Sequence, residues 1–155
     1  MLHTAAAVAP AGVEVRLFDG IRELPPFDPD VDEAGPPGSV QDWRAALREC
    51  DAALIASPEY GHSLPGALKN AIDWVIGSGE LYRKVVAITA SVPSVERGQR
   101  GLDALKQTLL AVDATVVGGY PIVRGADFEA ETKALLLTLL EQLRQLESSI
   151  QTTTG

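Results

Sequence analysis

The chain has 155 residues, of which 46% are apolar, and 13 lysines and arginines against 21 aspartates and glutamates give a formal net charge of −8. This length fits one domain over residues 1–155, and this apolar content excludes an intrinsically disordered chain. The negative charge argues against a nucleic-acid-binding protein, and no apolar run approaches the roughly 20 residues of a membrane-spanning helix.

The N-terminal quarter predicts a short helix, a strand and a long irregular segment. The alanine-rich stretch Met1–Pro10 is typical of the last turns of a helix. Residues 13–18 alternate apolar and polar side chains, which predicts a strand. Residues 22–38 are acidic and contain five prolines, so we expect a loop without regular structure, either functional or mobile.

The remainder of the chain alternates helices and strands. Continuous apolar runs at 52–56 and 85–88 predict strands that are covered on both faces, and residues 114–117 predict a third short strand. Apolar side chains at helical spacing fill the stretches before, between and after these runs, and Phe128 begins a long leucine-rich closing helix. Such alternation predicts a parallel sheet with helices on both faces, in which ligands bind beyond the carboxyl ends of the strands.

The loop after Ala56 is the strongest candidate for a ligand site. Its glycines at 61 and 66 allow close approach of the backbone, and Tyr60 offers an aromatic surface. The helix that follows presents N–H groups and positive potential at its start. These features suit a planar, electron-rich ligand, but a tight strand-to-helix connection without any ligand explains the composition equally well.

The same loop carries a family resemblance. Ser57-Pro58-Glu59-Tyr60, followed by the stretch 63–74, resembles the signature of the NADPH-dependent FMN reductase family, which includes chromate, quinone and azo-dye reductases. Weaker similarity covers Leu24–Asp30 and the loop that begins at Ser91. The resemblance implies a flavodoxin-like α/β fold and an oxidoreductase. The expected reaction passes hydride from NADPH or NADH through FMN to a flavin, a quinone or a similar small-molecule acceptor.

The resemblance also implies a cofactor site, a homodimer or homotetramer, and no catalytic side chain or metal. In the family, backbone groups of the Pro-Glu-Tyr loop lie along the isoalloxazine ring, and the next strand flanks the ring. Carried onto this chain, the cofactor-binding residues are Pro58, Glu59, Tyr60, Gly61, His62, Ser63, Leu64, Ala90, Ser91 and Val92.

Two departures from the family pattern stand out. The family has Asn-Gly where this chain has Gly61-His62, and His62 either bonds a flavin edge or is a solvated loop residue, which we favour. Family members also begin with a strand and a Gly-Ser-x-Arg-x-x-Ser loop that holds the FMN phosphate. This chain starts after that loop, so we expect its sheet to lack the first strand. An upstream start codon is the favoured explanation, ahead of a truncation that has lost flavin binding or a gap filled by another chain or a rearranged sheet.

Other patterns point elsewhere. A non-catalytic flavodoxin-like module stays open as an alternative because the phosphate loop is missing. Gly61-His62-Ser63 suggests a serine hydrolase, but Pro65 stands where a nucleophile elbow needs glycine. Arg97 and Arg100 are equally consistent with a contact to a nicotinamide phosphate and with a solvated loop. The single Cys50 cannot form a disulfide within the chain, which favours a reducing compartment such as the cytoplasm.

Overall fold

A computed structural model describes residues 1–94 and 96–153, with backbone alone from residue 146 onward. Its centre is a parallel sheet with the strand order β1-β2-β3. Within the described residues, no helix has both the length and the apolarity to cross a bilayer. The elements in chain order are α1 (Leu2–Ala7), a short 3₁₀ helix (Gly20–Glu23), α2 (Pro29–Ala34), α3 (Gly38–Glu49), β1 (Ala52–Ala56), α4 (Gly66–Ile76), β2 (Val85–Val92), α5 (Gln99–Ala111), β3 (Thr115–Val123) and α6 (Phe128–Thr153).

The sheet separates two apolar layers, as the continuous apolar strands predict. Alternate residues of β2 point to opposite faces because side chains in a strand alternate. Val86, Ile88 and their neighbours pack with buried residues of α3, α4 and α5. On the other face, Val85 and Ala87 pack with Leu135 of α6. The prediction of a flavodoxin-like sheet with helices on both faces is therefore confirmed.

Strand β3 is longer than the sequence predicts. The predicted run ended at Val117, but pairing with β2 continues to Val123. The register shifts between Ile88 and Thr89, where Gly118 and Gly119 adopt φ values of 75° and 90°. These glycines permit a β-bulge that lets the strand continue beyond an apparent breaker.

The strand predicted at residues 13–18 is wrong. Among the described residues this segment pairs with no strand, and β1 forms one edge of the sheet. Its side chains contact α3 instead. Arg16 Nη1 lies 3.3 Å from Glu49 Oε2, and the ring centroids of Phe18 and Trp43 are 4.9 Å apart. A strand pattern forms a strand only where a neighbouring strand is available, and the alternation here serves side-chain packing.

The proline-rich segment is more regular than its composition predicts. Residues 29–34 form α2, which starts with Pro29 in the first helical turn, where proline is tolerated. Asp28 caps this helix, because its Oδ1 accepts a 2.9 Å hydrogen bond from the Asp30 N–H. A capped proline at a helix start therefore explains why the expectation of an irregular loop is wrong here.

Candidate functional site

The loop of residues 57–66 lies beyond the carboxyl end of β1, where ligands bind in parallel sheets. The Ser57 N–H donates a 2.9 Å hydrogen bond to the Thr89 carbonyl, which continues the β1–β2 pairing into the loop. At its other end, Gly66 begins α4. The loop is therefore attached to two rigid elements and exposes its middle to solvent.

A tight turn forms the middle of this loop. The N–H groups of Tyr60 and Ser63 each donate a 3.0 Å hydrogen bond to the carbonyl of the other residue. Between them, Gly61 and His62 have φ values of 56° and 62°. Two positive φ values at the central positions are the mark of a type I′ turn, which favours Asn-Gly. This chain builds the same turn with glycine first and histidine second.

The surface around the turn suits a flat ligand. A Cβ built on Gly61 would meet no described atom within 4 Å, so its backbone is open to close approach. The Tyr60 side chain is 65% exposed. The N-cap of α4 is Pro65, whose side chain cannot cap the N–H groups of the first helical turn. An open backbone, an exposed aromatic ring and a helix start fit the isoalloxazine ring that the resemblance implies.

Glu59 and His62 form a local pair that sequence reasoning did not anticipate. Glu59 Oε1 lies 3.0 Å from His62 Nδ1, and Glu59 Oε2 accepts a 3.3 Å hydrogen bond from the Gly101 N–H. The His62 hydrogen bond is the main reason why the pKa of Glu59 lies below its ordinary value, and the Gly101 N–H lowers it further. The His62 ring is exposed to solvent, as we favoured, but it is bonded to Glu59.

The residues of β2 that are expected to flank the isoalloxazine ring are mostly buried. The side chains of Ala90 and Val92 point into the core below Gly98, which has a φ of 94°. A Cβ on Gly98 would lie 2.8 Å from Val92 Cγ1 and 3.1 Å from Ala90 Cβ. The Ser91 side chain is half-buried and points to the opposite face of the sheet. Ala90 and Val92 can therefore meet a ligand only through backbone groups.

The β-bulge lies next to the site and was also missed. Thr89 Oγ1 donates a 3.0 Å hydrogen bond to the Tyr120 carbonyl, and Gln99 Nε2 donates one of the same length to the Gly119 carbonyl. Thr89 is also the partner of Ala56, the last residue before the loop. The signal for this feature was a pair of glycines inside a strand pattern, because such pairs often mark bulges near functional sites.

The remaining candidates are less organised. Arg97 and Arg100 are exposed, and their contact to a nicotinamide phosphate stays a prediction. Ser63 belongs to the turn through its backbone, and α4 begins at Gly66 with Pro65 as its N-cap, so Ser63 does not start that helix. Among the side chains that the structure describes, in residues 1–94 and 96–145, no three of histidine, cysteine, aspartate or glutamate converge on a point where a metal ion would fit.

The sequence is similar to known reductases. Residues 1–127 match the protein family described as NADPH-dependent FMN reductase. A quinone reductase of Escherichia coli (strain K12) is 38% identical over 118 residues, which are 74% of this chain and 63% of that protein. An NAD(P)H-dependent FMN reductase of Pseudomonas aeruginosa is 36% identical over 114 residues, or 72% and 61% of the two chains. The chain thus spans less than two thirds of the length of these relatives.

Solved structures show the same architecture. FerB, a flavoenzyme NAD(P)H:(acceptor) oxidoreductase from Paracoccus denitrificans, superposes with a TM-score of 0.77 at 26% identity, covering 96% of this chain and 90% of that one. An oxidoreductase from Corynebacterium diphtheriae has a TM-score of 0.62 at 22% identity, over 93% and 82% of the two chains. The second likeness concerns the fold alone.

Proposed function

The chain belongs to the NADPH-dependent FMN reductase family, and on that premise we propose that it binds FMN along the loop of residues 57–66. We further propose that it passes hydride from NADPH or NADH to a small-molecule acceptor, such as a flavin or a quinone. The observation that supports this most directly is the exposed type I′ turn beyond β1, with Tyr60 beside an open Gly61.

Bound FMN would supply the redox chemistry, while the protein supplies binding and orientation. Tyr60 offers its ring to one side of the flavin, and Gly61 lets the backbone approach the ring edge closely. Ala90 and Val92 contribute backbone groups, and Ser91 flanks them. The proposed cofactor-binding set is Pro58, Glu59, Tyr60, Gly61, His62, Ser63, Leu64, Ala90, Ser91 and Val92.

The first test is flavin retention by the 155-residue chain. FMN is added, free ligand is removed, and the visible flavin absorption that stays with the protein is measured. Retained flavin followed by NADPH consumption would support the proposal. A colourless protein would contradict it and favour a flavodoxin-like module without catalysis.

Two variants with matched controls test the ring contact. We expect Tyr60→Ala and Gly61→Val each to weaken FMN binding about tenfold, equivalent to about 1.4 kcal/mol. Gly61→Val forces a β-branched side chain into a positive φ. The controls are Tyr82→Ala, at an equally exposed tyrosine, and Gly12→Val, at an open glycine with a φ of 83°. Equal losses in variants and controls would refute the ring contact.

We also propose a homodimer or homotetramer in the cytoplasm. Ile76 on α4 and Tyr60 in the loop before it are large exposed side chains that an interface would cover. The lone Cys50, which the structure places half-buried just after α3, is compatible with a reducing compartment. Sedimentation velocity at micromolar concentration tests the assembly, and a monomer would contradict it. Cell fractionation tests the location, and recovery outside the cytoplasmic fraction would contradict it.

A further inference from the structure

We propose that Glu59 is a positioning residue: its carboxylate caps helix α5 and holds the turn at His62, so that the loop of residues 57–66 (the FMN loop) and α5 form one rigid unit. We call this arrangement of Glu59, His62 and Gly101 the Glu59 cap. Its effect on FMN rests on the proposed function, whereas the cap itself rests on geometry alone.

The start of α5 needs a partner from outside the helix. The first N–H groups of a helix have no acceptor within it, and the N-cap residue here is Gly98, which has no side chain. Glu59 Oε2 accepts the Gly101 N–H at 3.3 Å across 42 residues of sequence. A carboxylate is also favoured at a helix N-terminus because of the helix dipole. Glu59 therefore serves as the missing cap.

Gly101 allows the loop to come this close. A Cβ on Gly101 would lie 3.0 Å from both Cα and Cβ of Glu59 and 3.1 Å from the Ser63 carbonyl oxygen. Glycine weakens a helix relative to alanine, so its place inside α5 needs a compensating reason. The reason is contact with the backbone at both ends of the turn.

The other oxygen of Glu59 holds the turn itself. A carboxylate can only accept, so His62 donates from Nδ1 across the 3.0 Å contact to Glu59 Oε1. His62 has a φ of 62°, a conformation that few residues other than glycine adopt. One carboxylate thus joins a strained turn residue to a helix start. The side chain of Glu59 faces α5 and does not face the proposed ligand.

The test compares Glu59→Ala and Glu59→Gln with Glu80→Ala as a matched control. Glu80 accepts hydrogen bonds from Arg48 and Ser78 through a side chain that is only 4% exposed, outside the FMN loop. We measure amide hydrogen exchange of Gly101 without FMN, and FMN affinity with it. Glu59→Ala should accelerate the exchange about tenfold and weaken FMN binding about tenfold, whereas Glu80→Ala should change neither.

Glu59→Gln should largely restore slow exchange at Gly101, because its amide oxygen still accepts the N–H. Unchanged Gly101 exchange in Glu59→Ala would overturn the cap. Changed exchange with unchanged FMN affinity would overturn the link to the ligand loop. A parent chain that retains no FMN would contradict the proposed function alone, since the exchange measurement needs no flavin.

A measurement on the unmodified chain keeps the test independent of variant folding. The imidazole ¹⁵N signals of His62 report which ring nitrogen carries the proton in the neutral ring. The cap requires the proton on Nδ1. A neutral His62 with its proton on Nε2 would overturn the arrangement, whatever the variants do.

Discussion

Two segments of this molecule are rich in turn residues, and different kinds of contact hold their backbones in place. The proline-rich segment of residues 22–38 contacts α4 through its Pro25 carbonyl, and the loop of residues 57–66 leads into α4. Side chains from outside the first segment hold its backbone. The Pro25 carbonyl accepts hydrogen bonds of 2.8 Å from both Asn70 Nδ2 and Trp74 Nε1. The second segment is held by its own turn and by the Glu59 cap.

The side chains of α3 that donate hydrogen bonds to α2 and α4 are sheltered from solvent. Arg44 of α3 donates to the Trp74 carbonyl and forms a 2.9 Å ion pair with Asp32 of α2. Trp43 Nε1 donates a 2.8 Å hydrogen bond to the Ala71 carbonyl. These bonds join α2, α3 and α4 through groups that would be costly to leave unpaired.

The FMN loop differs from this arrangement because its side chains are more exposed to solvent. Tyr60 and the His62 ring face solvent, and the hydrogen bonds of the turn itself lie within residues 59–63. Such a loop contributes little to the folding free energy and leaves its surface available for a ligand. The comparison predicts that changes in the α4 side chains that hold the first segment lower stability, whereas changes in the second segment lower FMN affinity.

The largest expected effect is on Trp74. Its side chain is fully buried and stacks edge-on against Phe27 at a centroid distance of 5.1 Å. Trp74→Ala should lower the free energy of unfolding by about 3–5 kcal/mol, because it creates a cavity and removes the bond to Pro25. Urea denaturation measures this change. Tyr60→Ala should lower the free energy of unfolding by less than about 0.5 kcal/mol in the same assay. Equal losses in Trp74→Ala and Tyr60→Ala would contradict the comparison.

The next largest effect is expected at Asn70, whose side chain donates one hydrogen bond and accepts another. Its Nδ2 donates to the Pro25 carbonyl, and its Oδ1 accepts a 2.7 Å hydrogen bond from the Phe27 N–H. Asn70→Ala should lower the free energy of unfolding by about 1–3 kcal/mol. Asn70→Asp keeps the acceptor for the Phe27 N–H but sets a carboxylate oxygen against the Pro25 carbonyl oxygen, so thermal unfolding should show a loss in this variant too. Parent-like stability in either variant would contradict the two-bond account.

The contrast between the segments also explains what could be predicted from the sequence. The sheet, its helices and the position of the loop of residues 57–66 followed from apolar periodicity and glycine and proline placement, which are local signals. FMN as the ligand of that loop followed only from the family resemblance. The prediction of a strand at residues 13–18 was wrong because strand formation depends on a neighbouring strand, and the sequence pattern does not show whether one is present. The destination of the Glu59 carboxylate lies 42 residues away, at Gly101, and local patterns carry no such information.

Gly101→Ala should separate stability from affinity most clearly. Alanine favours the helix by about 0.5–1 kcal/mol, while its Cβ would press on Glu59 and the Ser63 carbonyl. We therefore expect a small net change in the midpoint of urea unfolding and several-fold weaker FMN binding. The control is Gly38→Ala at the start of α3, where a Cβ would meet no described atom within 4 Å. Equal FMN affinity in Gly101→Ala and the parent would contradict close packing of the loop on α5.

The smallest expected effect is a shift in the titration of Glu59. Because the pKa of Glu59 is lowered in the folded protein, chiefly by the His62 hydrogen bond, the cap is in place above the ordinary pKa of glutamate. It should weaken only as the pH falls through the lowered value. Carboxyl ¹³C NMR follows this titration directly. His62→Ala should raise the pKa of Glu59 towards its ordinary value, whereas the Gly101 N–H should keep part of the lowering. An unchanged midpoint in His62→Ala would show that α5 alone holds the carboxylate, and the two parts of the cap would then act independently.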